Sequence, residues 1–328
     1  MNRLKISVLL LAMLPTVPAA AQTQIAGQPL QRKVEAFRAE LDALISQHQY
    51  DRADQVVSQR LAAGDDPAAT YFQIGKIYFD HEAWQRSAGF LEKSLKLKGM
   101  NDEAHQLLGL DWRALHRPDD AEAELLEAAK ENPANHVNAY FAGHQLLLNG
   151  KFEAALPYLY RALDSKPLQS QALEALALAQ ARLGNYALAE SYYRKAIDSN
   201  QTSDDRHYSA LVNLSVLLLL GHDPARLEEG FSCAQRAAKV KPDSPEAHFL
   251  AGKALFKLGR FQEASPELVR AGKLNPQDSK PHFLLARIYD QLGQHDRARK
   301  ERKDLARMHD RPGQAGMATV DQVPVTPD

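Results

Sequence analysis

One cysteine, Cys233, is all that this 328-residue chain contains. That excludes an internal disulfide and any thiolate zinc cluster. Charge of one sign is not in surplus either: Lys and Arg number 40 against 41 Asp and Glu. A nucleic-acid binder needs excess cation along its contact face, so nucleic acid is not an expected partner. Long apolar runs are missing. The best internal one, residues 211–220, carries Asn213 and Ser215, whereas a spanning helix needs about 20 predominantly apolar residues. No transmembrane segment is therefore expected in the mature chain. The sequence also lacks G-x-x-x-x-G-K-[ST], G-x-G-x-x-G and G-x-S-x-G. Its 12 histidines form neither H-E-x-x-H nor any pair four residues apart. No catalytic constellation, metal site or cofactor is expected, and the chain reads as a non-enzyme. What it does have is a hydrophobic content of 45%, enough for a sizeable core and too much for a disordered chain.

The first residues read as an address. Arg3 and Lys5 precede an apolar run over residues 6–14, then Pro15, Pro18 and Ala19-Ala20-Ala21 before Gln22. A charged lead, a short apolar stretch and small residues at the junction make a cleavable secretory signal over residues 1–21. A short lead over 22–33 follows. Export to a periplasm or to the outside medium is expected, and it suits a chain with a single thiol, since a pair would invite mispairing there.

Beyond that lead, the chain repeats itself. Glycines recur at Gly150, Gly184, Gly259 and Gly293, and prolines at Pro133, Pro167, Pro242 and Pro276, mostly 34 residues apart. The segment from Gly150, GKFEAALPYLYRALDSKP, matches the one from Gly259, GRFQEASPELVRAGKLNP, in its Gly, Phe, Ala, Pro, Leu, Ala and Pro positions. Ile74-Gly75 with Tyr78 and Leu108-Gly109 with Trp112 share a further pattern, which Ala142-Gly143 and Ala251-Gly252 continue with leucine in the aromatic slot. Alanines recur on the second half of each unit at Ala53, Ala121, Ala155, Ala189, Ala264 and Ala298. Small residues at these positions let two helices approach closely. Glycine ends the first helix by taking the left-handed conformation, and proline ends the second. Pro157 and Pro266 read as breakers early in a second helix. The sixth unit is seven residues longer than the period, with the surplus expected around 202–207 and 222–228.

This pattern resembles the tetratricopeptide repeat family. The resemblance implies an all-α solenoid of stacked antiparallel helix pairs winding into a right-handed superhelix, with about eight units over residues 34–312. Residues 313–328, rich in Pro, Gly, Val and Thr without period, read as a disordered tail.

The resemblance also implies a function: an exported scaffold that binds a protein or peptide in a concave groove lined by the first helices. Phe72, Lys76 and Phe79 fall on one helical face, and Phe249, Lys253 and Phe256 repeat the arrangement. Phe283 with Arg287 begins it again, and Tyr140 with His144 is a softer version. These ten are the candidate groove residues, although the same rings would serve equally as packing between neighbouring first helices. A subset of the family holds a C-terminal carboxylate with lysines and asparagines on this face. Lys76 and Lys253 are the nearest matches here, and the asparagines are absent. The alternative function is a structural or self-associating part of an envelope complex. His248 and His282, 34 residues apart, read as a repeated packing residue.

Overall fold

The computed structural model describes residues 28–199 and 207–309. The expected signal and tail lie outside those residues. Sixteen α-helices and no strand occur among the described residues, and they fall into two compact units. The first unit holds α1 (Gln28–Ser46), α2 (Tyr50–Ala62), α3 (Pro67–Asp80), α4 (Trp84–Leu97), α5 (Asp102–Ala114), α6 (Pro118–Glu131) and most of α7 (His136–Leu148). The second holds α8 (Phe152–Ala162), α9 (Gln169–Arg182), α10 (Tyr186–Asp198), α11 (Tyr208–Leu218), α12 (Pro224–Val240), α13 (Pro245–Lys257), α14 (Phe261–Leu274), α15 (Ser279–Gln291) and α16 (His295–His309). The first helix thus begins within the stretch read as a lead.

Odd-numbered helices open each pair and several carry a side-chain cap. Asp66, Asn101, Ser244 and Asp278 accept from the backbone N–H of Ala68, Ala104, Ala247 and Lys280 at 2.9–3.1 Å. Such caps satisfy donors that the first turn leaves unpaired. Even-numbered helices mostly start without one, because the turn between partners supplies the hydrogen bonds. Ala83, Arg117, Arg260 and Gln294 each donate their N–H five residues back, to Tyr78, Trp112, Leu255 and Tyr289, at 2.7–2.9 Å. This six-to-one closure requires a left-handed residue just before the donor. Gly150, Gly184, Gly259 and Gly293 fill that place with φ between +69° and +81°. In the first three pairs the same register position is held by His48, Glu82 and His116, at φ 56–59°.

Close approach within a pair depends on the small residues. A Cβ added to Gly75, Gly109 or Gly252 would lie 2.5–2.7 Å from Leu91, Leu125 or Leu268, a leucine of the partner helix. The cores are built from these leucines and the alanines opposite them, Ala53, Ala88, Ala121, Ala155, Ala189, Ala264 and Ala298, all buried. Pro157 and Pro266 do not break their helices: α8 and α14 run through them. Each proline forfeits one backbone bond, to Glu153 and Gln262, at a cost of about 3 kcal/mol in a helix interior. The buried stripe on either side, Ala155 and Leu159, or Ala264 and Leu268, offsets it. Part of the sixth unit's surplus is α12 itself, 17 residues long against 11–15 for the other even-numbered helices. The other expected insertion, from 202, lies mostly outside the described residues.

Histidine recurs inside the pairs for a reason the sequence did not disclose. His105, His248 and His282 each donate Nδ1–H to a glutamate 19 residues on, Glu124, Glu267 and Glu301, at 2.6–2.7 Å. The histidine sits one turn into the first helix and the glutamate in the second, so each couple clasps one pair. Nε2 of His248 faces the Pro242 carbonyl at 3.0 Å, and that of His105 the Gly99 carbonyl at 3.4 Å. Two acceptors around the His105 ring favour its doubly protonated form. At His105 burial works against the charge. Even so, the hydrogen bond and charge of Glu124, with Gly99 and Glu131, hold its pKa above the usual value.

Candidate partner-binding faces

In the first unit, α3 presents Phe72, Lys76 and Phe79 in the expected order, with unequal access to solvent. Phe79 is buried and meets Trp84 edge-on, with ring centroids 5.2 Å apart. It belongs to the core cluster of Leu91, Leu107 and Leu108. Phe72 is half-buried against the same cluster. The Lys76 ammonium lies 5.2 Å from the Phe72 ring and pairs with Glu103 of α5. Its charge is already answered within the stack, which leaves little of it to hold an external carboxylate.

Further along the same unit, α7 carries Tyr140 and His144, both half-buried, with rings 5.6 Å apart. Phe141 stands 5.5 Å from Tyr140 at 66°. Nδ1 of His144 is sealed from water and has no hydrogen-bond partner. Burial, and then the nearby charge of Arg113, push its pKa down to about 4, so the ring is neutral at physiological pH. Arg113 is a residue the sequence reading missed. It closes α5, one period after Phe79, and an arginine near a helix end reads from sequence as a solvated charge.

The second unit gathers the other five candidates on α13 and α15. Phe249 and Phe256 are half-buried against the cluster of Leu255, Leu268, Leu285 and Ile288. Phe256 also meets Phe261 at 5.7 Å. Lys253, between them in sequence, is half-buried. On α15, Phe283 is 47% exposed, a large area for an unoccupied aromatic ring. The guanidinium of Arg287 lies 4.9 Å from the Phe256 centroid and 5.9 Å from that of Phe283. Arg287 is exposed and makes no ion pair with a described residue. Two rings from different helices thus flank one free cation, a surface suited to an acidic or aromatic segment. A separate cleft of about 590 Å³, lined by Val269, His282, Leu285, Glu301 and Met308, takes in none of the five candidate residues.

Comparison with known proteins accords with this architecture. A family model described as tetratricopeptide repeat matches residues 140–204, 227–279 and 251–315. Human tetratricopeptide repeat protein 7B is 31% identical over 133 residues, which make up 40% of this chain and only 15% of that protein. A tetratricopeptide repeat protein from Parabacteroides merdae superposes with a TM-score of 0.53 at 16% identity, covering 74% of this chain and 93% of its own. PilW, described as a widely conserved type IV pilus biogenesis factor, gives a TM-score of 0.55 at 17% identity, covering 68% and 100%. At such identities these two structures speak to the fold alone. Over residues 140–204 and 227–315, and in helices packed as adjacent pairs, the chain carries tetratricopeptide repeats.

Proposed function

We propose that this chain is an exported, non-catalytic scaffold that holds a protein or peptide partner against its first-helix faces. The observation that carries the reading is the exposed Phe283 with Arg287 set between it and Phe256. Aromatic and arginine side chains are the usual anchors of interfaces, because they bury much area for little lost freedom. Among the described residues no helix is long and apolar enough to cross a membrane, and the proposed site of action is the periplasm or the outside medium. The support for export is residues 1–21 themselves: Arg3 and Lys5, the apolar run and the small residues before Gln22.

The test pairs affinity with stability. Partner captured from an envelope extract is identified by mass spectrometry, and its affinity is then measured against variants. Phe283→Ala is expected to weaken binding by about 2 kcal/mol, roughly 30-fold, while the melting temperature stays within a degree or two because the ring is half exposed. Phe249→Ala is expected to cost about 2 kcal/mol or more in folding as well, since it packs on the Leu268 cluster. Unchanged affinity in Phe283→Ala and Arg287→Glu would remove this face from the function.

A further inference from the structure

A desolvated cation in the first unit has no counter-ion. The Arg113 guanidinium makes no hydrogen bond and no ion pair with any described residue. The contact it has is the Phe141 ring, 5.8 Å away. Three other half-buried arginines are answered: Arg60 by Asp65, Arg194 by Glu229 at 2.9 Å, Arg260 by Glu228 at 3.2 Å and by Glu263 at 2.6 Å. Burial lowers the proton affinity of Arg113, the mark of a charge held where water does not compensate it. Next to it stands His144, whose Nδ1 is sealed and unpartnered. With that nitrogen shut away, Nε2 is the one left to meet a ligand. Tyr140 and Phe141 wall the corner. A partly buried, desolvated guanidinium and a sealed ring nitrogen both cost stability when left unpaired. A fold that retains them without structural gain points to a role in binding.

We infer that Arg113 and His144, walled by Tyr140 and Phe141, form a subsite for a carboxylate, that of an acidic side chain in a bound segment. The inference rests on the reading that first-helix faces receive a partner, and it names the chemistry taken at this one. A carboxylate would accept two parallel N–H bonds from the guanidinium and one from the imidazole. Its charge would also draw a proton to His144, so binding strengthens as the solution is acidified.

Three probes test it on the full chain: a short acetylated and amidated peptide with two adjacent glutamates, the same peptide with glutamines, and sodium acetate. The glutamate peptide is expected to bind at least tenfold more tightly than the glutamine peptide and than acetate, and to raise the pKa of His144 followed by NMR. Equal binding of the two peptides, or a His144 titration that the glutamate peptide leaves in place, overturns the subsite. Acetate binding as tightly as the peptide assigns the corner to free small anions and overturns the partner side chain. Arg113→Met keeps the side chain's length without its charge. It is expected to raise the melting temperature while lowering affinity for the glutamate peptide at least tenfold, whereas a lower melting temperature with affinity intact would make Arg113 structural. Partner capture lost in Phe283→Ala but untouched in Arg113→Met would sink this subsite and leave the proposed function standing.

Discussion

Asp111 lies sealed between α4 and α5, and neither of its carboxylate oxygens has a hydrogen-bond partner. Burial raises its pKa to about 8, against a lesser opposing effect of Ser87, which is itself buried. An acid whose folded pKa lies above its unfolded value binds more protons when folded. Its cost to stability is absent below the unfolded value, grows as the pH rises, and levels off above about 8. His105 acts in the same direction: its raised pKa stabilises the fold at low pH, and that contribution fades as the pH climbs through the folded value. Melting temperature is therefore expected to rise as the pH falls from 8 to about 6.5, below which His144, kept neutral by burial, works in the opposite direction. Asp111→Asn should gain about 1–3 kcal/mol at pH 7.5 and nothing at pH 4, flattening the profile. His105→Gln should lose stability at pH 5 and little at pH 8. Thermal melts from pH 4 to 8 check both, and a wild-type melt independent of pH would contradict the assignment. The role of Asp111 was not readable in the sequence. Asp111 precedes the recognisable Trp112, and nothing local marks its seclusion. The His–Glu clasps, by contrast, left a trace: the spacing of 19 recurs at 105 and 124, 248 and 267, and 282 and 301.

At the scale of elements, the period was legible because each pair needs the same few small residues at the same places. Gly75, Gly109 and Gly252 sit where a partner-helix leucine leaves no room for a Cβ, and spacing alone located them. The turn after each first helix was half legible. Where glycine fills it, the sequence announces it; where His48, Glu82 and His116 do, the same geometry is hidden behind an ordinary side chain. The prolines misled for the opposite reason. A local rule against proline in a helix was outweighed by burial on both sides of Pro157 and Pro266, a tertiary effect outside the reach of spacing. The turns allow a paired test. Glu82→Gly should relieve the cost of a left-handed non-glycine residue and raise stability by about 0.5–1 kcal/mol. Gly259→Ala should lower it by about 1 kcal/mol. Denaturant melts that move both variants the same way would show that φ at this position is not what matters.

Across the molecule the fold class was readable from one period, because each pair buries its apolar face on its neighbours and the pattern must repeat. The candidate faces were readable as rows of residue types and not as surfaces. Helical spacing put Phe79 and Phe283 in equivalent company, while packing buried one and left the other open. Arg113 joined a face through its desolvation, which composition does not show. In a stack whose pairs touch mainly their sequence neighbours, stability is a sum of pair and interface contributions. The last pair of the second unit tests that sum. Leu285, Ile288 and Tyr289 of α15 close over Leu255 of α13 and Leu268 of α14. A chain ending at Asn275 leaves that leucine face to water. Hydrogen exchange at the amides of Ala254, Leu255 and Leu268 is expected to speed up at least tenfold, a loss of about 1.4 kcal/mol or more in local stability. Arg299→Ala provides the contrast. Arg299 is an exposed residue of α16 whose ion pair with Asp296 spans 3.8 Å, and its removal should alter the same amides by less than about 0.5 kcal/mol. If the shortened chain protects α13 and α14 as well as the full one, the final pair caps nothing, and the charged face of α16 has another purpose than meeting water at the end of a stack.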